Sequence, residues 1–237
     1  MTMNVNIVFP VLNEEKRMPI GIRRTLQFLD SNHLDNFRIT IVDNGSTDRT
    51  LELIKELQKE DARIDYISLK ERGFGVAFKT AVIENKSDII GYMDIDLSTN
   101  IRHMLTVLKI FDSRSDVDIV KGNRLSPSSK VIGRKLTREI TSRGLDLLIH
   151  FAFKAKVHDT MCGFQFFRKE AIENLVNISS NDKGWFYCAE LLLRAERLCM
   201  KIEEIPVVWK DDYDTKVNVC KTVSNYLERI ISLRREI

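Results

Sequence analysis

Two hydrophobic rhythms alternate along the first half of the chain. Short apolar runs rich in valine and isoleucine occur at Asn4–Phe9, Phe37–Val42, Ile64–Leu69 and Ile89–Met93. Runs this short and this β-branched predict strands buried on both faces. Pro10 is expected to end the first, and Asp43-Asn44-Gly45-Ser46 the second. Between them, apolar residues recur every three to four positions. Glu14–Leu29 carries Ile22, Leu26 and Leu29 on one face, and the next such segment carries Leu51, Ile54 and Leu57. Gly75–Glu84 is the third. This period predicts helices, the second capped by Ser46 or Thr47.

Alternating strands and helices imply βαβ units and a parallel sheet. Such sheets bind ligands at the carboxyl ends of their strands. Pro10–Glu14, Asp43–Asp48 and Asp94–Ser98 all fall at those ends, so the candidate site lies there. The second half is less regular. It predicts a strand at Asp118–Lys121, a loop at Leu125–Lys130 and one long amphipathic helix over Gly133–Phe153. A short strand at Phe164–Arg168, a helix at Trp185–Met200, a strand at Ile202–Trp209 and a terminal helix at Lys216–Arg235 follow. Neither a repeat nor a linker interrupts the pattern, so a single α/β domain is expected.

Composition narrows the class. A chain of 237 residues can bury a core without disulfide or metal staples. With 43% hydrophobic and 30% charged residues, disordered and collagen-like readings are excluded. Cys162, Cys188, Cys199 and Cys220 form no CxxC pair and are expected as buried, reduced thiols in a reducing compartment. The start lacks a basic n-region and a cleavage site, and no apolar run approaches the ~18 residues of a membrane span. A cytoplasmic protein is expected, attached at most to a membrane surface. The net charge of +3 is too small for a dedicated nucleic-acid binder. Between Lys121 and Lys156, however, nine basic residues face two acidic ones, a local net of +7. That segment suits an anionic ligand or an anionic membrane face.

Candidate chemistry is concentrated in few places. Asp94-Ile95-Asp96 follows a strand, and a turn there lets both carboxylates face one cation. Hard oxygen ligands suit Mg²⁺ or Mn²⁺ on a diphosphate. Lys70–Thr80 reads KERGFGVAFKT, which approaches both the GxxxxGK[ST] and the GxGxxG phosphate loops. Phe78 stands where each needs a glycine and excludes ATPase and NAD readings. Gly73 and Gly75 remain as flexible residues near a ligand. GxSxG and HExxH are absent, and His33, His103, His150 and His158 are scattered surface or packing residues.

In order, FPVLNEE (Phe9–Glu15), IVDNGSTDRT (Ile41–Thr50), RGFGVAFKTA (Arg72–Ala81), YMDIDLST (Tyr92–Thr99), GNR (Gly122–Arg124), DTMCGFQFFR (Asp159–Arg168), AELLLRAE (Ala189–Glu196) and IPVVWKDDYDTKVNV (Ile205–Val219) resemble the family 2 glycosyltransferases of the GT-A fold. Within them the chain is most similar to the polyprenyl-phosphate mannose and glucose synthases. The resemblance implies a nucleotide-diphospho-sugar transferase with a mostly parallel central sheet flanked by helices. Residues 1–121 would bind the nucleotide sugar and residues 122–237 the acceptor.

The resemblance also implies roles. Pro10, Val11, Leu12, Glu14 and Gly73 would line the nucleotide. Asp43 would accept a hydrogen bond from the base. Asp94 would lie by the ribose and the metal, and Asp96 would hold the metal on the diphosphate. Ser98 stands where the mannose synthases place a metal-binding glutamine, a variant closer to the glucose-type members. Arg124, Arg138, Ser142 and Lys216 would hold the acceptor phosphate. For Lys130, Lys135 and Arg143 a solvated helix face is equally expected. The implied reaction is metal-dependent inverting transfer of a hexose to polyprenyl phosphate at a cytoplasmic membrane surface, within cell-envelope glycan synthesis. Two alternatives are transfer to a glycan hydroxyl, with Glu190 as candidate base, and a non-catalytic nucleotide-sugar-binding subunit.

Overall fold

A three-layer αβα sandwich is described for residues 3–211 and 219–237 in a computed structural model, with side chains of the last helix described from residue 226 onward. In chain order the elements are β1 (Val5–Val11), α1 (Met18–Ser31), β2 (Phe37–Asp43), α2 (Thr50–Glu60), β3 (Ile64–Ser68), α3 (Phe74–Glu84), β4 (Ile89–Met93), α4 (His103–Ser113) and β5 (Ile119–Asn123). Then come β6 (Lys130–Ile132), α5 (Leu136–Phe153), β7 (Phe164–Arg168), α6 (Lys169–Ile178), α7 (Phe186–Arg197), β8 (Ile202–Pro206), β9 (Val208–Lys210) and α8 (Val219–Glu236).

The main sheet has seven strands in the order β3-β2-β1-β4-β7-β5-β8, and β6 pairs with β9 in a second, two-stranded sheet. All pairs of the main sheet are parallel except those of β7, which runs antiparallel between β4 and β5. Alternate residues of the central strands feed two cores. Val5, Ile7, Phe9 and Val11 of β1 join Ile22 and Leu29 of α1, Ile54 of α2 and Val107 of α4 on one face. Val8 and Val42 join Phe78 of α3, Leu175 of α6 and Leu192 of α7 on the other.

Several boundaries depart from the sequence reading. Pro10 does not end β1, because β1 pairs with β4 only as far as Val8↔Tyr92 while its pairing with β2 continues to Val11↔Asp43. Beyond Val8 there is no β4 partner for a missing N–H to disrupt. The predicted strand Ile202–Trp209 is two strands. Pro206 ends the pairing of β8 with β5, and the chain crosses to β6 as β9. The long helix begins at Leu136 rather than Gly133, since Gly133 turns the chain at φ 74° after β6. Ser46 and Thr47 do not cap α2. Asp48 Oδ1 takes the Thr50 N–H at 3.0 Å instead. Cys199 is exposed at a φ 55° turn after α7, whereas Cys162 and Cys188 are buried free thiols. The side chain of Cys220 lies outside the described residues. Helices α4 and α6 were not among the predicted elements, although Met104, Val107, Leu108 and Phe111 carry a helical period.

Close packing at the centre of the sheet depends on Gly91. It pairs with Phe166, and a Cβ there would stand 2.2 Å from the Phe166 ring and 2.4 Å from the Gln165 carbonyl oxygen. Gly91→Ala should therefore destabilise the fold by about 1–3 kcal/mol through overpacking. A urea midpoint equal to that of the wild type would contradict this.

Candidate active site at the carboxyl edge of the sheet

The loops after β1 and β2 are laced together. The Asn13 N–H donates to Ser46 Oγ at 2.9 Å, and the Thr47 N–H to Asn13 Oδ1 at 2.8 Å. The Glu14 N–H donates to Thr50 Oγ1 at 2.8 Å, and the Glu14 carboxylate is paired with Arg17. Asn13 sits at φ 54°, in the left-handed region that asparagine tolerates. Pro10 and Val11 belong to the end of β1, and Leu12 projects to 38% exposure. Asp43 is 1% exposed, and its Oδ1 accepts the Ser46 N–H at 3.1 Å. Beside it, Asn44 Oδ1 is buried without a hydrogen-bond partner. Gly73 precedes α3 at φ 152°, and a Cβ there would meet the Lys183 carbonyl oxygen at 2.2 Å. A glycine at this position thus serves internal packing.

The expected turn follows β4. The Leu97 N–H donates to the Asp94 carbonyl at 3.0 Å, with Leu97 at φ 54°, and the Ser98 N–H donates to Asp96 Oδ1 at 2.8 Å. Asp96 and Ser98 open onto a cleft of about 530 Å³ that Arg17, Arg24, Lys210 and Asp211 also line. The Ser98 carbonyl accepts the Lys210 N–H at 2.8 Å, so the acidic turn is tied directly to β9.

Across that tie lie the guanidinium groups. Arg124, just after β5, forms a fork onto Asp159: Nε to Oδ2 at 2.9 Å and Nη2 to Oδ1 at 2.6 Å. Its backbone N–H adds a third bond to Oδ2 at 2.7 Å, and its guanidinium lies 4.6 Å from the centroid of the Trp209 ring. Burial alone would raise the Asp159 pKa, but the charge and hydrogen bonds of Arg124 hold it below the usual carboxylate range. Arg138 on α5 reaches Asp211 Oδ1 at 3.1 Å, the atom that also accepts from Trp209 Nε1 at 3.0 Å. Ser142 Oγ accepts from Arg134 Nη2. Lys216 lies outside the described residues.

Residues 6–176 match the Glycosyl transferase family 2 domain. The chain belongs to glycosyl transferase family 2. Glycosyltransferase AglD of Haloferax volcanii is 31% identical over 223 residues, which are 93% of this chain and 35% of AglD. The chain therefore spans about a third of AglD's length. Dolichyl-phosphate beta-glucosyltransferase ALG5D of Trichomonas vaginalis is 26% identical over 91% of this chain and 68% of its own. Glucosyl-3-phosphoglycerate synthase from Mycobacterium tuberculosis, crystallised in complex with Mn²⁺, UDP and glucosyl-3-phosphoglycerate, superposes at a TM-score of 0.70 with 17% identity, covering 100% of this chain and 81% of that one. At that identity the likeness shows the fold, a GT-A arrangement of a mostly parallel sheet between helices.

Within this glycosyltransferase fold the acidic turn fits a divalent cation. The Asp94 pKa is pushed up to about 7, first by burial and then by the negative charge of Asp96, against the opposing pull of Arg124 and Arg138. Asp94 has no ion-pair partner among the described residues. The pull of those arginines falls short of offsetting burial and the charge of Asp96, a deficit that a bound cation would make good. No group of three acidic, histidine or cysteine side chains that could hold a metal ion occurs among the described residues. Further ligands would therefore come from the substrate and from water.

Four residues that the sequence reading did not single out make close contacts with the candidate site residues. A Cβ on Gly163 would stand 2.1 Å from Asp94 Oδ2, so glycine alone lets β7 approach that carboxylate. Asp159 is the counter-ion of Arg124, and Asp211 that of Arg138. Arg134 is a buried guanidinium beside Ser142. Asp159 opens DTMCGFQFFR, Gly163 lies within it and Asp211 follows WK, all inside the quoted motifs, but nothing in a linear sequence pairs the two aspartates with their arginines. Glu190, by contrast, is no free base. It is 2% exposed and accepts from the Ser180 N–H at 2.6 Å, Ser180 Oγ at 2.5 Å and Arg194 Nε at 2.7 Å.

Gly163→Ala should displace Asp94 and weaken Mn²⁺-dependent binding of a nucleoside diphosphate at least tenfold, with far-UV circular dichroism unchanged. Isothermal titration with and without Mn²⁺ checks this; equal affinities for wild type and variant would refute the assignment.

Proposed function

We propose that the protein transfers a hexose, with inversion, from a nucleotide diphosphate sugar to a polyprenyl phosphate. The observation that carries this reading is the convergence of unpaired Asp94 and Asp96 with the guanidinium groups of Arg124 and Arg138 across the Ser98–Lys210 tie. Pro10, Val11, Leu12, Glu14 and Gly73 would flank the nucleotide, with Asp43 and the open Asn44 Oδ1 as acceptors for the base. Residues 1–121 would thus bind the donor and residues 122–237 the acceptor.

Asp94, Asp96 and Ser98 would hold Mg²⁺ or Mn²⁺, which when bound offsets the charge of the departing diphosphate. Arg138, with Ser142 and Lys216, would orient the acceptor phosphate, and Arg124 would raise the local positive potential. A phosphate oxygen attacks the anomeric carbon, forming the new C–O bond as the bond to the nucleoside diphosphate breaks. The acceptor is already anionic, so no general base is required. The commitment of Glu190 to three donors favours this acceptor over a glycan hydroxyl. The decisive assay offers nucleotide sugars and polyprenyl phosphate with Mn²⁺. Label should partition into butanol, and chelator should abolish it. Label that stays with a water-soluble glycan would sink the lipid reading.

The two arginines should behave differently. Arg138→Ala should reduce transfer about ten- to a hundredfold, the loss of a charge-assisted hydrogen bond, without changing donor affinity. Arg124→Ala leaves Asp159 buried and unpaired, so it should also destabilise the fold by about 3–5 kcal/mol. Denaturation midpoints measured beside transfer rates separate the two; a fully stable Arg124→Ala would contradict the pairing.

A membrane-bound acceptor requires access to a membrane. Among the described residues no helix is long and apolar enough to cross one. Helix α5 nevertheless exposes Leu136 (74%), Ile140 (63%), Leu147 (52%) and Phe151 (71%), with Lys135 and Arg143 also exposed. An amphipathic helix of this composition lies in the interface plane of an anionic membrane, such as the cytoplasmic leaflet. Sedimentation with anionic vesicles should show binding that weakens with salt, since each basic residue contributes only ~1 kcal/mol near the surface. Binding indifferent to salt and to Phe151→Ser would count against this.

A further inference from the structure

Arg134 lies between β6 and α5, in the turn that Gly133 opens. Its side chain is 7% exposed. Nη2 donates to Ser142 Oγ, eight residues further along in the second turn of α5. Nε and Nη1 are buried and have no hydrogen-bond partner. Glu139 Oε2 stands 3.3 Å from Nη1 but out of line with its N–H groups, and Glu139 Oε1 is drawn to Arg143 at 2.6 Å. Buried donors without acceptors are costly. Burial, and behind it the positive charge of Arg124, lowers the Arg134 pKa, so two guanidinium groups stand near one another. Asp159 is closed onto the first of them. The second has Glu139 Oε2 within ion-pair distance, but among the described residues no carboxylate accepts a hydrogen bond from it.

Such an arrangement is built for an anion. Nε shares one edge of the planar guanidinium with Nη2, the edge that Ser142 already touches. Since Ser142 Oγ accepts from Nη2, its own hydroxyl hydrogen remains available to a ligand on that edge. We propose that Arg134 is an anion-binding residue of the acceptor site. Its unpartnered Nε–H and the Ser142 hydroxyl together take the oxygens of the acceptor phosphate, while Arg124 and Arg138, already closed onto Asp159 and Asp211, frame it. The assignment rests on the acceptor carrying a phosphate, as proposed above. It makes Ser142 a residue oriented by Arg134 rather than an independent ligand.

The test uses the full chain with inorganic phosphate, a polyprenyl phosphate and the corresponding polyprenol. At constant ionic strength, inorganic phosphate but not chloride should raise the wild-type Tm, and the rise should vanish in Arg134→Met. Without phosphate, Arg134→Met should melt at or above the wild-type temperature, because it removes buried donors that have no partner. A purely structural arginine would lower it. The KM for polyprenyl phosphate should rise about ten- to a hundredfold, with donor Kd unchanged. Arg134→Lys should recover only part of this because it lacks the planar fork, and the polyprenol should not compete. Arg134→Gln provides the same comparison if the methionine variant does not fold. An equal phosphate shift in wild type and variant, or an unchanged acceptor KM, overturns the assignment. If the wild type does not use polyprenyl phosphate yet inorganic phosphate still stabilises it through Arg134, the proposed function fails and the anion site stands.

Discussion

The buried fork between Arg124 and Asp159 is the contact on which the second half of the chain depends. A guanidinium and a carboxylate removed from water are tolerated only when each answers the other and the remaining donors are met. Asp159 accepts three N–H groups from Arg124, at 2.6–2.9 Å, and donates its own N–H to Asp146 Oδ1 on α5 at 2.7 Å. Arg124 lies over Trp209, whose indole donates to Asp211, and Asp211 pairs with Arg138 on α5. The contacts thus run from α5 through β5 and β9 and return to α5. A helix tied at two points along its inner face has a fixed rotation about its axis. Its apolar outer face is therefore presented in one direction.

The acidic turn after β4 shows the opposite balance. Asp94 and Asp96 are brought together without a direct ion pair among the described residues, and burial raises the proton affinity of Asp94 despite the charges of Arg124 and Arg138. The fold accepts that strain because Gly163 and the turn at Leu97 leave the carboxylates no other place. Incompletely offset carboxylates of this kind are a common cost of binding sites. Both aspartates project from the end of a central strand, so the strain sits on a rigid support.

What could be read from the sequence follows from range. The strands β1 to β4 were legible because a buried parallel strand is a local apolar run. The position of Asp94 and Asp96 at a strand end followed from the same signal. The β6–β9 pair was not legible: Lys130–Ile132 has no period, and its partner is distant in the chain. Arg124 and Arg138 were identified by resemblance, but their counter-ions Asp159 and Asp211 were not, since pairing depends on where β7 and β9 come to rest. Arg134 read as one charge among nine because exposure, not composition, distinguishes a buried guanidinium from the exposed Lys135 beside it.

The tie between Ser98 and Lys210 connects the two halves. The Ser98 N–H restrains Asp96, and its carbonyl accepts the N–H of the last residue of β9. The next residue, Asp211, holds Arg138, and its own N–H donates to the Ile132 carbonyl at 3.0 Å, two residues before Arg134. From the carboxylate of Asp96 to the guanidinium groups of the basic segment, the path therefore crosses one short strand and its hydrogen bonds. A displacement of the acidic turn must carry β9 with it or break a backbone bond, so the acidic turn and the basic segment keep their separation. The proposed in-line transfer would depend on that separation, because attacking oxygen, anomeric carbon and leaving oxygen must align to a fraction of an ångström.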